Sequence, residues 1–247
     1  MKFDKIFVMK YLRFGDSKKF IVFLHGWGAD KNSFLWLKSF FSDFSLVFVD
    51  FPGFGESPEP EREYYLSDYV FELKKVLDSF DIESLTLVGH SFGGRVAIKY
   101  SFLYQDNYRE FKLCLVDSAG IKPRKSLLCK IRVSRYKRLK KRAEKLGIED
   151  YRLNKFGSSD YKKLSDVMKK TFVHIVNEDL SDMAKKIKVK TMIVWGKKDK
   201  ETKLYMARKL HKYIKDSQLY IFKSAGHFSF LDNRLDFLIL LDTFVKN

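Results

Sequence analysis

A serine, an aspartate and a histidine stand in this chain at turns that could assemble them for nucleophilic catalysis. Ser91 is the centre of Gly89-His90-Ser91-Phe92-Gly93, directly after the apolar run Leu85-Thr86-Leu87-Val88. Glycine on either side of the serine permits a tight strand-to-helix turn that holds the hydroxyl clear of its own backbone. A serine hydroxyl is a weak nucleophile at neutral pH, so this chemistry also requires a base and a group that orients the base.

The sequence offers both groups further along the chain. Asp199 ends a Gly-Lys-Lys-Asp turn after the apolar segment 190–195, and His227 follows a glycine after the segment 218–222. If both segments are strands of a parallel sheet, their turns lie at the same edge of the sheet as the serine turn. We therefore predict Ser91 as nucleophile, His227 as base and Asp199 as the acid that orients it.

The chain resembles the α/β-hydrolase superfamily, and within it a small, capped serine hydrolase of bacterial type, from about residue 18 to the C-terminus. The segments that carry the resemblance are His25-Gly26-Trp27-Gly28, Asp50-Phe51-Pro52-Gly53-Phe54-Gly55-Glu56-Ser57, the serine turn, Trp195-Gly196-Lys197-Lys198-Asp199 and Gly226-His227. The order serine, aspartate, histidine is the order of that fold. Asp199 stands at the usual position of the acid, and Asp117, after the apolar segment 112–116, is the alternative.

The resemblance also implies how a tetrahedral intermediate would be stabilised. The backbone N–H groups of Trp27 and Phe92 would form the oxyanion hole, with no role for their side chains in that task. The side chains of Trp27, Phe92 and Phe228 suggest an aromatic substrate pocket, and hence an apolar or aromatic acyl group.

The pattern of the remaining chain predicts an α/β fold. We expect a mostly parallel, eight-stranded sheet flanked by helices, with the first 14 residues pairing as an antiparallel edge. Strands are predicted at about 20–24, 45–50, 84–90, 112–117, 190–195 and 218–222, and helices at about 31–42, 66–80, 91–104, 201–214 and 229–245. Residues 1–120 and 186–247 would form the hydrolase core. Residues 121–185 would form a helical lid, with one helix over 124–146 and a second, capped at Ser159-Asp160, running to about Val176.

The positive charge of the chain is concentrated in the lid region. Residues 121–190 contain 22 Lys and Arg against 8 Asp and Glu, a net of +14, which leaves +3 for the rest of a chain whose formal charge is +17. Three interpretations compete. The lid is a solvated surface, or it steers an acidic substrate or an acidic carrier protein that delivers an acyl chain, or it contacts nucleic acid or an anionic membrane. The third is disfavoured because the segment lacks interleaved aromatic residues and lies where substrate would enter.

No cofactor or metal is predicted. His25 and His90 belong to the predicted oxyanion loop and serine turn and are expected to organise hydrogen bonds, while His174 and His211 fall in helical patterns. No histidine has metal-site spacing, and no glycine-rich phosphate loop is present. The N-terminal residues lack the long apolar region of a signal peptide or membrane helix, and two cysteines, Cys114 and Cys129, are poorly placed for a bridge, so a cytoplasmic protein is expected.

These observations predict a serine hydrolase that cleaves an ester-like bond, a carboxylic ester, thioester or lactone, through an acyl-enzyme. The expected partner is a small acyl substrate, with no nucleic acid and no membrane span, and the oligomeric state is left open. A C–C bond hydrolase of the meta-cleavage product type is an alternative, although that group usually carries asparagine where this chain has His90. A ligand-binding or carrier-binding module on the same fold is another.

Overall fold

Seven strands form one sheet in the part of the chain that the structure describes. A computed structural model describes residues 8–122, 127–146, 161 and 163–247. The strands are β1 (Lys10–Phe14), β2 (Lys19–Leu24), β3 (Ser45–Asp50), β4 (Ser84–His90), β5 (Glu110–Val116), β6 (Lys190–Gly196) and β7 (Ser217–Phe222). Their order across the sheet is β1-β3-β2-β4-β5-β6-β7, and only β1 runs antiparallel to its neighbour. The predicted α/β-hydrolase architecture and its antiparallel N-terminal edge are confirmed.

The central strands are buried on both faces, which explains their unbroken apolar runs. In β2, Ile21 and Phe23 pack into the core on one side of the sheet, whereas Val22 and Leu24 pack into the core on the other. Successive side chains of a strand point to opposite faces, so a strand covered on both sides needs apolar residues at every position.

Helices cover both faces of the sheet. The helices of the described residues are α1 (Leu66–Leu77), α2 (Phe92–Tyr104), α3 (Leu127–Leu146), α4 (Asp166–Asn177), α5 (Ser181–Ala184), α6 (Leu204–Tyr213), α7 (Ser229–Asp232) and α8 (Arg234–Lys246). The helices α3, α4 and α5 lie between β5 and β6, in the interval where the lid was predicted. The division of the chain into core and lid stays a prediction.

The predicted helix over 31–42 was wrong. Two short 3-10 helices, Lys31–Ser33 and Leu35–Ser39, occupy this segment. The backbone N–H and the ammonium of Lys31 bind the two carboxylate oxygens of Asp50 at 2.7 and 2.6 Å. This buried pair holds the first turn against the end of β3, and the contact joins residues too far apart in sequence to be inferred from local periodicity.

Two further helices begin or break at points that differ from the predictions. The helix α4 begins after Ser165, whose hydroxyl accepts a hydrogen bond from the backbone N–H of Met168. The predicted cap, Ser159-Asp160, lies outside the described residues. The predicted helix over 229–245 is broken into α7 and α8 at Asn233, whose backbone has the non-helical angles φ −129° and ψ 57°.

The sheet has one strand fewer, among the described residues, than the eight predicted. The described part of the N-terminal segment contributes a single short strand, β1, before β2 begins. The six strands predicted by position agree with the observed bounds to within two residues at each end.

Candidate active site

Ser91 lies in a strained turn between β4 and α2. Its backbone has φ 50° and ψ −108°, a conformation that residues with side chains rarely adopt. The neighbouring glycines make the turn possible, since a Cβ atom on Gly93 would lie 2.1 Å from the carbonyl oxygen of Leu24 and one on Gly89 would lie 2.6 Å from that of Gly93. The turn therefore projects the hydroxyl away from α2 at the carboxyl edge of the sheet.

The imidazole of His227 bridges Ser91 and Asp199. Its Nε2 atom lies 3.1 Å from the Oγ atom of Ser91, and its Nδ1 atom lies 2.8 Å from Oδ2 of Asp199. These residues come from the ends of β4, β6 and β7, which are neighbouring or near-neighbouring strands of a parallel sheet. His227 is therefore within hydrogen-bond reach of both Ser91 and Asp199, so the three residues that the sequence selected form one continuous series.

The carboxylate of Asp199 is held by its own loop. Its Oδ1 atom accepts hydrogen bonds from the backbone N–H groups of Glu201 and Thr202 at 2.8 and 3.0 Å, and its Oδ2 atom accepts one from the Thr202 hydroxyl at 2.5 Å. Although burial opposes ionisation, the bonds from His227 and Thr202 outweigh it and hold the pKa of Asp199 below its usual value. Thr202 was missed by the sequence analysis; its signal is the position three residues after an aspartate at a turn.

A second carboxylate, Glu201, also faces the imidazole. Its Oε2 atom lies 3.3 Å from Nε2 of His227, and its side chain is 70% exposed. Burial of the ring disfavours the imidazolium, but the hydrogen bond and charge of Asp199 and the charge of Glu201 reverse the balance and raise the pKa of His227. Nothing in the sequence singled out Glu201, because its distance from His227 depends on how two loops meet.

Asp117 does not contact the imidazole. Its two carboxylate oxygens accept hydrogen bonds from the backbone N–H groups of Gly196 and Ser229, at 2.8 and 3.0 Å. Burial raises the pKa of Asp117 to about 7, so it would stabilise a neighbouring positive charge less than Asp199 does. Asp117 instead ties together the loop that bears Asp199 and the loop that bears His227.

Replacing Asp117 with alanine is expected to destabilise the protein by about 3 kcal/mol, because two buried backbone donors lose their acceptor. The backbone of Asp117 also has φ 43°, a region that alanine disfavours. Urea unfolding of the wild type, Asp117→Ala and Asp117→Asn measures the effect. The asparagine variant keeps one acceptor and tolerates the left-handed backbone, so it should lose less. Equal stability of the alanine variant and the wild type would contradict the tethering role.

The two predicted oxyanion donors lie at the ends of neighbouring strands. Trp27 follows β2, and Phe92 is the first residue of α2, where a helix leaves its first N–H groups without intrahelical partners. Within the described residues, neither of these backbone N–H groups donates to a protein acceptor. Their assignment as oxyanion donors stays a prediction.

Aromatic side chains from the core and from α4 meet near Trp27. Its ring lies 4.9 Å from that of Phe54, 5.4 Å from that of Phe92 and 5.2 Å from that of Phe172, centre to centre. Phe172 belongs to α4 and was missed, since a phenylalanine in an amphipathic helix carries no distinguishing signal. Of the three predicted pocket residues, Trp27 and Phe92 are in contact, whereas Phe228 packs against His90 at 5.0 Å and remains 44% exposed.

A separate cleft of about 480 Å³ lies between α1, α2 and α4. Its lining residues are Tyr65, Ser67, Lys99, Val173, His174, Asn177 and Glu178. Lys99 and Glu178 form an ion pair of 2.7 Å there. Ser91 and His227 are not among the lining residues, so this cleft is not the space in which the serine would react.

The other two histidines near Ser91 are buried and structural. The Nε2 atom of His25 accepts a hydrogen bond from the backbone N–H of Phe51 at 3.0 Å, and burial lowers the pKa of His25 to about 4. The Nε2 atom of His90 lies 2.8 Å from the carbonyl oxygen of His227, and burial lowers the pKa of His90 to about 3. Both rings are neutral at pH 7. His90 therefore donates to that carbonyl and helps to fix the loop of His227.

Across the described ranges, no group of three or more His, Cys, Asp or Glu side chains is arranged to hold a metal ion. In that same part of the chain, each helix is too short or too polar to cross a membrane.

Proteins similar to this chain in sequence include a peptidase. A proline iminopeptidase from Saccharolobus solfataricus is 27% identical over 279 residues, which cover 96% of this chain and 87% of the relative. At this identity, the peptidase activity in its name is a property of that relative alone.

Solved structures of the same fold include an esterase and a meta-cleavage product hydrolase. An esterase from Exiguobacterium antarcticum has a TM-score of 0.75 and 26% identity, covering 97% of this chain and 96% of its own. A meta-cleavage product hydrolase from Pseudomonas fluorescens has a TM-score of 0.68 at 18% identity, covering 96% and 94%, which is a likeness of fold alone. The profile described as "Alpha/beta hydrolase family" matches residues 21–239. With most of its length matched by that profile, the chain belongs to the α/β-hydrolase family.

Proposed function

We propose that the protein is a serine hydrolase that cleaves an ester-like bond, a carboxylic ester, thioester or lactone, through an acyl-enzyme. The observation that carries the proposal is the hydrogen-bonded series from the Oγ atom of Ser91 through both ring nitrogens of His227 to Asp199, at 3.1 and 2.8 Å. A serine within reach of a base that is itself oriented by a carboxylate is the arrangement that activates a hydroxyl for attack.

In the first step, the Oγ atom of Ser91 attacks the carbonyl carbon while its proton passes to Nε2 of His227. The carbonyl oxygen becomes an oxyanion that accepts hydrogen bonds from the N–H groups of Trp27 and Phe92. Asp199 stabilises the imidazolium, which gives its proton to the leaving alcohol or thiol as the bond to the acyl carbon breaks. Water then attacks the acyl-serine by the same route, with His227 as base, and releases the acid.

The aromatic residues around Trp27 favour an apolar or aromatic acyl group. Trp27, Phe54 and Phe172 form a cluster beside the proposed oxyanion donors. Apolar pockets with a few polar groups are typical of small-molecule sites. The substrate is proposed to be a small acyl compound, and the mechanism uses no cofactor.

A peptidase is the second candidate, and the similarity to a proline iminopeptidase along nearly the whole chain favours it. The same serine chemistry can cleave an amide when the leaving amine is correctly placed. Hydrolysis of a carbon–carbon bond has less support, because only the fold is shared with the meta-cleavage product hydrolase.

A direct test compares p-nitrophenyl esters of increasing acyl length, prolyl p-nitroanilide and a meta-cleavage product with the wild-type protein. Ester hydrolysis with a burst of nitrophenol and a dependence on acyl length supports the proposal. Faster turnover of the prolyl anilide would assign a peptidase instead. Tight binding of an acyl compound with no turnover of any substrate would indicate that the protein is a ligand-binding module.

Replacing Glu201 with glutamine is expected to move the acid limb of the kcat/KM profile slightly to lower pH. The neutral imidazole is the active base, and removing a nearby negative charge lowers the pKa of His227, so the base stays unprotonated to lower pH. The effect is small because Glu201 is exposed and screened by solvent.

The pH profiles of the wild type and Glu201→Gln at low and high salt measure this shift. High salt should remove much of the difference, because an exposed charge is screened whereas the buried Asp199 is not. Lys200→Gln, which changes a neighbouring charge of opposite sign on the same loop, serves as the control and should not move the acid limb downward. Identical acid limbs for the wild type and Glu201→Gln at low salt would contradict the contact.

A further inference from the structure

The helix α3 presents an exposed face that is almost entirely basic. The helix has 20 residues and is about 30 Å long, and it contains nine Lys and Arg and a single acidic residue, Glu144. The described basic side chains are all exposed; they are Arg135, Lys137, Arg138, Lys141, Arg142 and Lys145. Ala143, on the opposite side of the helix, is buried. The charge therefore points to solvent.

This charge is not neutralised by neighbouring carboxylates among the side chains that the structure describes. Arg138 donates only to the hydroxyl of Ser134, and the other five form no ion pair with a described Asp or Glu. Elsewhere on the protein, several exposed lysines pair with an acid three or four residues away, such as Lys185 with Asp182 and Lys246 with Asp242. The six described basic side chains of α3 differ in this respect from those exposed lysines.

Apolar residues lie at both ends of the same face. Ile131 is 49% exposed and Leu146 is 55% exposed. Ile131, Arg135, Arg138, Arg142 and Lys145 follow one another at spacings of three or four residues, so they form one stripe along the helix. Leu146 continues that stripe at its C-terminal end.

We propose that α3 docks the protein on an anionic lipid surface, with its stripe of Arg and Lys on the headgroups and Ile131 and Leu146 at the level of the acyl chains. The stripe is straight and about 20 Å long, so a flat array of negative charges can contact all of its basic residues together. A small acidic substrate could contact only one or two of them. Burial of the exposed apolar residues at both ends would stabilise binding to a lipid surface, because hydrocarbon lies beneath its charged headgroups. Nucleic acid offers no such apolar layer.

The sequence alone disfavoured membrane contact, and the structure supplies the reason to revise that view. Sequence composition gave a net charge for residues 121–190 but could not tell which of its side chains are exposed to solvent. With +14 in this segment and +3 in the rest of the chain, electrostatic attraction would also orient the molecule with α3 toward the lipid. The proposal does not depend on hydrolysis.

Sedimentation with sucrose-loaded vesicles tests the docking. The wild-type protein is expected to bind vesicles of phosphatidylglycerol and phosphatidylcholine, to ignore vesicles of phosphatidylcholine alone, and to be released by salt. The triple variant Arg138→Gln/Arg142→Gln/Lys145→Gln should bind the anionic vesicles on the order of 100-fold more weakly. Ile131→Ser should bind the anionic vesicles more weakly than the wild type at low salt, with an unchanged dependence on salt, because it removes an apolar contact and no charge.

A matched triple variant controls for net charge. Arg208→Gln/Lys212→Gln/Lys215→Gln removes the same number of exposed positive charges from α6 and the residues after it. It should bind anionic vesicles nearly as well as the wild type. Thermal unfolding of both triple variants establishes that they are folded.

Three results would overturn the proposal. Equal weakening by both triple variants would mean that total charge, and not α3, governs binding. Binding of polyglutamate without binding of anionic vesicles would indicate an acidic protein partner. Equal affinity for vesicles and for a DNA oligonucleotide, unaffected by Ile131→Ser, would indicate a general polyanion surface.

Discussion

Replacing Ser91 with alanine is expected to abolish hydrolysis, with a loss on the order of 10⁶-fold in kcat, and to remove labelling by a fluorophosphonate. The Ser91 hydroxyl is the group at the strained turn that would attack the acyl carbon. Its Oγ atom lies 3.1 Å from Nε2 of His227, which would take its proton. Intact mass after treatment with the fluorophosphonate measures labelling directly. The p-nitrophenyl ester that the wild type prefers measures turnover.

The fold should be unaffected by this change. Alanine and serine have similar backbone preferences at φ 50°. The substitution removes one part-buried hydrogen bond, the one to His227, so the free energy of unfolding should change by less than about 1 kcal/mol. Ser101→Ala is a suitable control, because Ser101 is buried in α2, the helix that follows Ser91, and its hydroxyl donates to the carbonyl of Ala97. That variant should be labelled like the wild type. A labelled Ser91→Ala protein would mean that another nucleophile carries the reaction.

Replacing Asp199 with asparagine is expected to reduce kcat on the order of 10⁴-fold while leaving substrate binding nearly unchanged. The amide cannot stabilise the imidazolium, and its NH₂ group can turn toward Nδ1 of His227 and select the tautomer that is unable to accept a proton from Ser91. Steady-state kinetics on one ester, with folding checked by thermal unfolding, measures the effect.

Asp117→Asn is the matched control for this experiment. It removes the other buried carboxylate at the same edge of the sheet, but both oxygens of Asp117 bind backbone N–H groups and neither binds the imidazole. We expect Asp117→Asn to cost stability and to retain most of the activity of the folded protein. Full activity in Asp199→Asn combined with inactivity in a folded Asp117→Asn protein would transfer the role of the acid to Asp117.

Loss of the Asp199 carboxylate should also change how stability depends on pH. The pKa of Asp199 is below its usual value, so the folded protein favours the ionised carboxylate. Its contribution to the free energy of unfolding is therefore fully present above the ordinary pKa of an aspartate, and it is lost as the pH falls below that value and through the lower pKa of the folded state. The difference in stability between the wild type and Asp199→Asn should narrow on acidification.

The sheet and the proposed reacting residues could be predicted from the sequence because their signals are local. Apolar runs without alternation identify strands that are buried on both faces, as β2 and β3 are. The glycines around Ser91 identify a turn that side chains could not occupy, as the 2.1 Å approach at Gly93 illustrates. Since the carboxyl ends of parallel strands share one edge, the positions of Asp199 and His227 after their strands were sufficient to bring them near Ser91.

The tertiary structure alone decided which groups support the site. Asp199 and Asp117 both follow strands, and the direction of each loop determines that one faces the imidazole while the other binds two backbone amides. Two other features join residues that are distant in sequence: the contact of Glu201 with His227, and the ion pair of Lys31 with Asp50 beside the 3-10 turns. The exposure of the basic side chains of α3 also depends on how that helix packs. Local periodicity carries no information about such contacts, because they depend on how loops and helices pack once the sheet has formed.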